Sequence, residues 1–117
     1  MNEEGHRSAA AEMRRTLTRL LLPDDIRVYA ETSFGAAFHL LAAGAERRYG
    51  MHPEHHQGLV RWLRQRGHLR EAEVFAQLDT MRTGRWYGKQ GNGSAAERMA
   101  EPLDEIAAWS LAGEGDR

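Results

Sequence analysis

The chain has 117 residues, 41% of them apolar and 28% charged, the balance of one globular domain spanning 1–117 and not of a disordered tail. Sixteen basic and seventeen acidic side chains leave a net charge of −1, which excludes coating of nucleic acid by bulk charge and makes any anion site a local one. The lack of cysteine excludes disulfide frameworks, thiolate zinc sites, iron–sulfur clusters and cysteine nucleophiles, and no apolar run approaches the roughly 20 residues that cross a bilayer.

The segment Met1–Arg15 is polar and charged where a signal peptide would be hydrophobic, so a reducing cytoplasm is the expected compartment, with no membrane partner. Fifteen of the basic residues are arginine and one is Lys89. Arginine offers a planar fork for phosphate, and the same skew fits a GC-rich genome.

The pattern predicts helices throughout. Ser8 is the expected cap of a first helix whose Met13, Leu17, Leu20 and Leu21 form one stripe, ended by Pro23. Asp24 and Asp25 favour the start of a long second helix from Ile26 to Tyr49, which Gly50 stops. Its face of Ile26, Tyr29, Ala30, Phe34, Ala37, Phe38, Leu41, Ala42 and Ala45 is rich in alanine and suits a central helix.

Pro53 is placed as the first residue of a third helix, with Leu59, Val60 and Leu63 as its stripe and Gly67 as its stop. Ala72, Phe75, Leu78 and Met81 repeat at three-residue spacing in a fourth, which dissolves at Thr83-Gly84. After a glycine-rich stretch from Gly88 to Gly93, Ser94 and Glu97 form a capping box for a last helix with Met99, Leu103, Ile106 and Trp109, which Pro102 must kink or restart. The tail 113–117 is expected to fray. No strand-length alternation occurs, so the fold class is all-α, an antiparallel bundle of four to five helices.

Arg82, Arg85 and Lys89 lie beside Trp86 and Tyr87 in glycine-loosened backbone. Guanidinium forks to hold phosphate oxygens, together with aromatic faces to hold a base, are the ingredients of a nucleotide or RNA site. The competing reading has Trp86 and Tyr87 plugging the core while the arginines pair with acids. Arg61, Arg64, Arg66 and Arg70 make a second basic face, which matters for RNA only if it lies on the same side as that loop.

His52, His55 and His56 crowd one helix start, with His52 and His56 one turn apart if His52 is the cap, but further ligands are missing locally. No metal or cofactor is expected. His39, beside Phe38, suits a core histidine bonded to a neighbouring helix. Ser8, Ser33, Ser94 and Ser110 lack a nucleophile-elbow pattern, and no phosphate loop or dinucleotide fingerprint occurs.

Ser33-Phe-Gly-Ala-Ala-Phe-His-Leu-Leu41, His55-His-Gln-Gly-Leu-Val60, Leu78-Asp-Thr-Met-Arg82 and Tyr87-Gly88 resemble, in order and spacing, the successive signature stretches of the HEPN superfamily, from about Arg19 to Trp109. The resemblance implies a helical bundle, often dimeric. It also implies kinship with ribonuclease toxins encoded beside a nucleotidyltransferase antitoxin, and with non-catalytic relatives that bind nucleotides or RNA.

Active members of that superfamily use an arginine and a histidine with four to six residues between them, near the start of the last long helix. A histidine with a pKa near 6.5 can move the 2′-hydroxyl proton while arginine stabilises charge at phosphorus. Here no histidine follows Arg82, and Tyr87 stands in its place, a phenol with a pKa near 10 that is a poor base at neutral pH. Arg47 with His52, Arg48 with His55 and Arg61 with His68 also fit the spacing, at about the frequency that chance supplies.

The expectation is therefore an RNA- or nucleotide-binding homodimer that uses Arg82, Arg85, Trp86, Tyr87 and Lys89. The alternatives are a metal-independent ribonuclease in which His39 or His56 reaches Arg82, and a dimeric interaction module with no ligand.

Overall fold

In a computed structural model of the chain the described residues are 1–22, 24–83 and 100–112. They form five helices: α1 (Glu3–Leu17), α2 (Ile26–Tyr49), α3 (His56–Gln65), α4 (Leu69–Arg82) and α5 (Ala100–Ala112). Among the described residues there is no strand, and the fold is an all-α bundle. The expected capping box of Ser94 and Glu97, Met99, Pro23 and the tail 113–117 lie outside them.

Helix α1 begins earlier than the position of Ser8 suggests. Asn2 is its cap, accepting a hydrogen bond at Oδ1 from the Gly5 N–H at 2.8 Å, and Glu3 and Glu4 follow in the first turn, where the helix dipole favours them. Ser8 is an exposed mid-helix residue. The helix ends at Leu17, so Leu20 and Leu21 do not extend its stripe, and Leu21 is 68% exposed. Asp25 closes the connection: its N–H donates to the Leu21 carbonyl at 2.7 Å and its carboxylate accepts from the Leu21 N–H at 2.8 Å.

Helix α2 is the central element and packs against α1, α4 and α5. Ala36, Leu40 and Ala43 are buried beside Ala30, Phe34, Ala37, Leu41, Ala42 and Ala45 of the expected face, because neighbours cover it on several sides, while Ile26, Tyr29 and Phe38 are partly buried. Gly50 ends it with φ 73°, a left-handed conformation that an L side chain resists.

Residue pairings fix the directions. Glu3 meets Arg47 and Met13 meets Gly35, so α1 runs antiparallel to α2. Phe75 stacks on Phe34 and His68 bonds Tyr49, so α4 does too. Helix α5 is antiparallel to α1, with Arg7 bonded to Ser110 and Arg14 paired with Asp104.

The third helix starts at His56 with His55 as its cap, three residues beyond Pro53. Its buried residues are Leu59, Trp62 and Leu63, with Trp62 replacing the expected Val60. Gly67, at φ 84°, then reverses the chain into α4, where Ala72, Phe75, Leu78 and Met81 are all buried as spacing requires. Pro102 lies within α5, which continues through it from Ala100 to Ala112.

Candidate functional site

Arg82 closes α4. Its Nη2 and Nε donate to Asp79 Oδ1 at 2.7 and 3.2 Å, one helical turn back. The guanidinium lies 4.3 Å over the ring of Phe34, and Phe34 is itself stacked on Phe75 at 4.8 Å. His56 meets the same Phe34 ring edge-on at 5.3 Å. Because α3 and α4 form a hairpin, the start of one and the end of the other share this aromatic platform, which brings His56 and Arg82 together.

His39, the other ring expected near Arg82, is bonded to α1 instead. Arg85, Trp86, Tyr87 and Lys89, with Gly88, Gly91 and Gly93, lie outside the described residues.

The expected basic face spreads over two helices, with Arg61 and Arg64 on α3, Arg66 at its C-terminal cap and Arg70 on α4. Arg66 stacks on Trp62 at 4.1 Å and on Tyr49 at 5.2 Å, a cation–π use that stiffens the turn. Arg70 bonds Glu105 at 3.1 Å and lies 3.7 Å from Glu73.

Arg61 and Arg64 form no ion pair among the described residues and line an open groove of roughly 460 Å³ with Gln57, Val60 and Gln65. At 1.5 Å per residue they lie one and two turns along α3 from His56, and no carboxylate among the described residues lines the groove. A second concavity, between Tyr29, Ser33 and Leu103, is bordered by the Arg14–Asp104 pair.

The most ordered polar array lies elsewhere. His6 of α1 is only 4% exposed, with Nδ1 2.8 Å from His39 Nδ1 and Nε2 3.2 Å from His52 Nε2. His52 Nδ1 is in turn 2.7 Å from Glu46 Oε2. Burial, then the neighbouring His52 and His39, push His6 down to about 4, against a weaker opposing pull from Glu46. Burial also lowers His39.

His52 is therefore not the cap of α3, and the metal pair with His56 does not form. Among the described residues no group of three or more histidine or acidic side chains is arranged to hold a metal. Sequence reading missed His6, although His6, Ala10, Met13 and Leu17 share one stripe at spacings of four, three and four.

At the opposite end of α4, His68 Nδ1 accepts from Trp109 Nε1 at 3.3 Å and its Nε2 lies 2.8 Å from the Tyr49 hydroxyl. Arg48 covers the Trp109 ring at 4.4 Å and donates to its carbonyl at 2.9 Å. This network ties α2, α4 and α5 together.

Comparison with models of protein families, with curated proteins and with solved structures returns no match to this chain. The functional reading rests on the geometry above.

Proposed function

We propose that the protein binds single-stranded RNA through its phosphates, in the manner of the non-catalytic HEPN proteins its signature stretches resemble. One observation carries the reading: whereas Arg66 at the end of α3 and Arg70 on α4 are committed to Trp62, Tyr49, Glu73 and Glu105, Arg61 and Arg64 of α3 line an open groove with no ion pair among the described residues. Two forks about one helical turn apart suit successive phosphates, and the two glutamines can bond sugar or base edges. At the His56 end of this track Arg82 adds charge, and Arg85, Trp86, Tyr87 and Lys89, which lie outside the described residues, are the further charge and stacking surface that the sequence offers. A homodimer and a nucleotidyltransferase partner complete the proposal on the strength of the resemblance.

A second reading is favoured by the Phe34 platform. With His56 and Arg82 on one ring, a metal-independent ribonuclease would use His56 to carry the 2′-hydroxyl proton and Arg82 to hold the phosphate.

One experiment separates these. A labelled single-stranded RNA is incubated with the protein in EDTA, with ATP as competitor, and both retention and cleavage are read. Retention without cleavage, lost in Arg61→Ala/Arg64→Ala, supports RNA binding. Cleavage abolished by Arg82→Ala and by His56→Asn supports the ribonuclease. Displacement by ATP at low concentration redirects the site to a free nucleotide, and no retention with a stable dimer leaves an interaction module.

A further inference from the structure

Three histidines from three parts of the chain meet end to end: His6 on α1, His39 on α2, and His52 in the segment between α2 and α3. Glu46 of α2 ends the row. A carboxylate accepts only, so His52 must carry a proton on Nδ1. If the rings are neutral, His52 Nε2 is then an acceptor, His6 must donate from Nε2, and His39 must donate from Nδ1 to His6 Nδ1. This is the one assignment that satisfies all three contacts with neutral rings, and it leaves a single vacant lone pair, on His39 Nε2.

The proton count then sets the behaviour of the array. One added proton can enter at His39 Nε2 and be shared along the row without breaking a contact, at the cost of charge in a buried place. A second added proton has no vacant site, so some contact must set one N–H against another while two like charges share the row. Either change opposes the seating of His6.

We propose that His6, His39, His52 and Glu46 form a proton-operated latch that holds α1 on α2 at neutral pH and releases it in mild acid. The groups around His6 are accounted for element by element. From just before its own helix comes the Met1 ammonium, which adds positive charge, and from the helix itself Glu3, which is bonded to Arg7 and to Arg47 of α2. From α2 come His39 and Glu46, and from the following segment His52. From α5 the contact is through Arg7, which donates to the Ser110 hydroxyl and carbonyl.

Burial raises Glu3, but the hydrogen bonds from Arg7 and Arg47 outweigh it and leave the carboxyl lowered, so this fastening of α1 gives way only below the ordinary carboxylate range. Between that range and neutrality, imidazole is the side chain whose unperturbed charge change falls. Release of α1 would bare the surface of α2 that Ala10 and Met13 cover.

The test is hydrogen exchange, corrected for its intrinsic pH dependence, followed residue by residue between about pH 7 and about pH 5. The latch predicts that protection of α1 falls at least about tenfold more than that of α4, and that His6→Gln, which can still donate to His52 but does not titrate, removes the difference. Equal loss in both helices, or an undiminished difference in His6→Gln, overturns it.

Should His6→Gln not fold, the wild-type imidazole nitrogens decide. Nitrogen NMR at about pH 7 must find His6 neutral and protonated on Nε2, and a His6 protonated on Nδ1 overturns the proposal. So does tightening of α1 by added zinc chloride at neutral pH, which would mean that His6 Nε2 and His52 Nε2 converge on a cation instead of sharing a proton.

Discussion

Trp109 lies so close to Gly44 that a β-carbon on Gly44 would sit 2.4 Å from indole Cζ3 and 3.0 Å from the Ser110 backbone. The absence of a side chain at one position of α2 thus seats the largest side chain of α5, and with it the hydrogen bond to His68 and the cover of Arg48.

Gly44→Ala is accordingly expected to destabilise the fold. Alanine gains about 1 kcal/mol over glycine in a helix interior, but a rigid ring and a backbone atom stand in the way, and overpacking costs typically about 1–3 kcal/mol. Denaturant melts should show a net loss for Gly44→Ala. Pairing it with Trp109→Leu should cost less than the sum of the two changes.

The capping assignment at the N-terminus separates two residues cleanly. Asn2→Ala removes the acceptor for the Gly5 N–H and should cost about 1 kcal/mol. Ser8→Ala, at an exposed mid-helix position, should be neutral or stabilising by a few tenths of a kcal/mol. Thermal melts of the two variants check this, and the reverse order would restore Ser8 as the cap.

Much of the bundle was legible from spacing. Ala72, Phe75, Leu78 and Met81 announce the buried face of α4, and Gly50 and Gly67 announce turns, because burial and positive φ leave local marks. Where reading failed, two local signals competed. Ser8 looked like a better cap than Asn2, and Pro53 a better first residue than His56, although each true boundary carried its own cue in the acidic pair Glu3–Glu4 or in the apolar run behind His56. The histidine row was illegible for another reason: positions 6, 39 and 52 meet only after α1 folds back on α2, and no spacing rule reaches across a tertiary contact. The Phe34 platform under Arg82 and His56 was hidden in the same way.

Stability should depend on pH in two separate windows. His6 has a folded pKa near 4, below its unfolded value near 6.5, so the unfolded chain binds more protons between them. The contribution of His6 is therefore complete above the unfolded value, is lost as pH falls towards about 4, and is flat below. Glu3 is raised by burial, but the hydrogen bonds from Arg7 and Arg47 outweigh this and leave it net lowered. Its share is present above the ordinary carboxylate value and lost only as pH falls through the depressed one. Denaturant midpoints across the range should therefore fall in two steps, and His6→Gln should shrink the upper step to the share of His39, which burial also lowers, without moving the lower one.

Within the basic face of α3, function and stability should separate by residue. Arg66→Ala removes the cation–π contacts with Trp62 and Tyr49 and should lower stability by about 0.5–1 kcal/mol. Arg61→Ala and Arg64→Ala, which break no ion pair among the described residues, should leave the melting temperature unchanged while weakening RNA retention.

The most direct test of the binding claim is the salt dependence of affinity for a labelled single-stranded RNA, measured by fluorescence anisotropy from about 50 to about 200 mM salt. Each phosphate contact contributes a slope of about −0.7 for single strands, so Arg61→Ala/Arg64→Ala should flatten the slope of log affinity against log salt by about 1.4. An identical slope in the double variant and the unaltered protein would contradict the account.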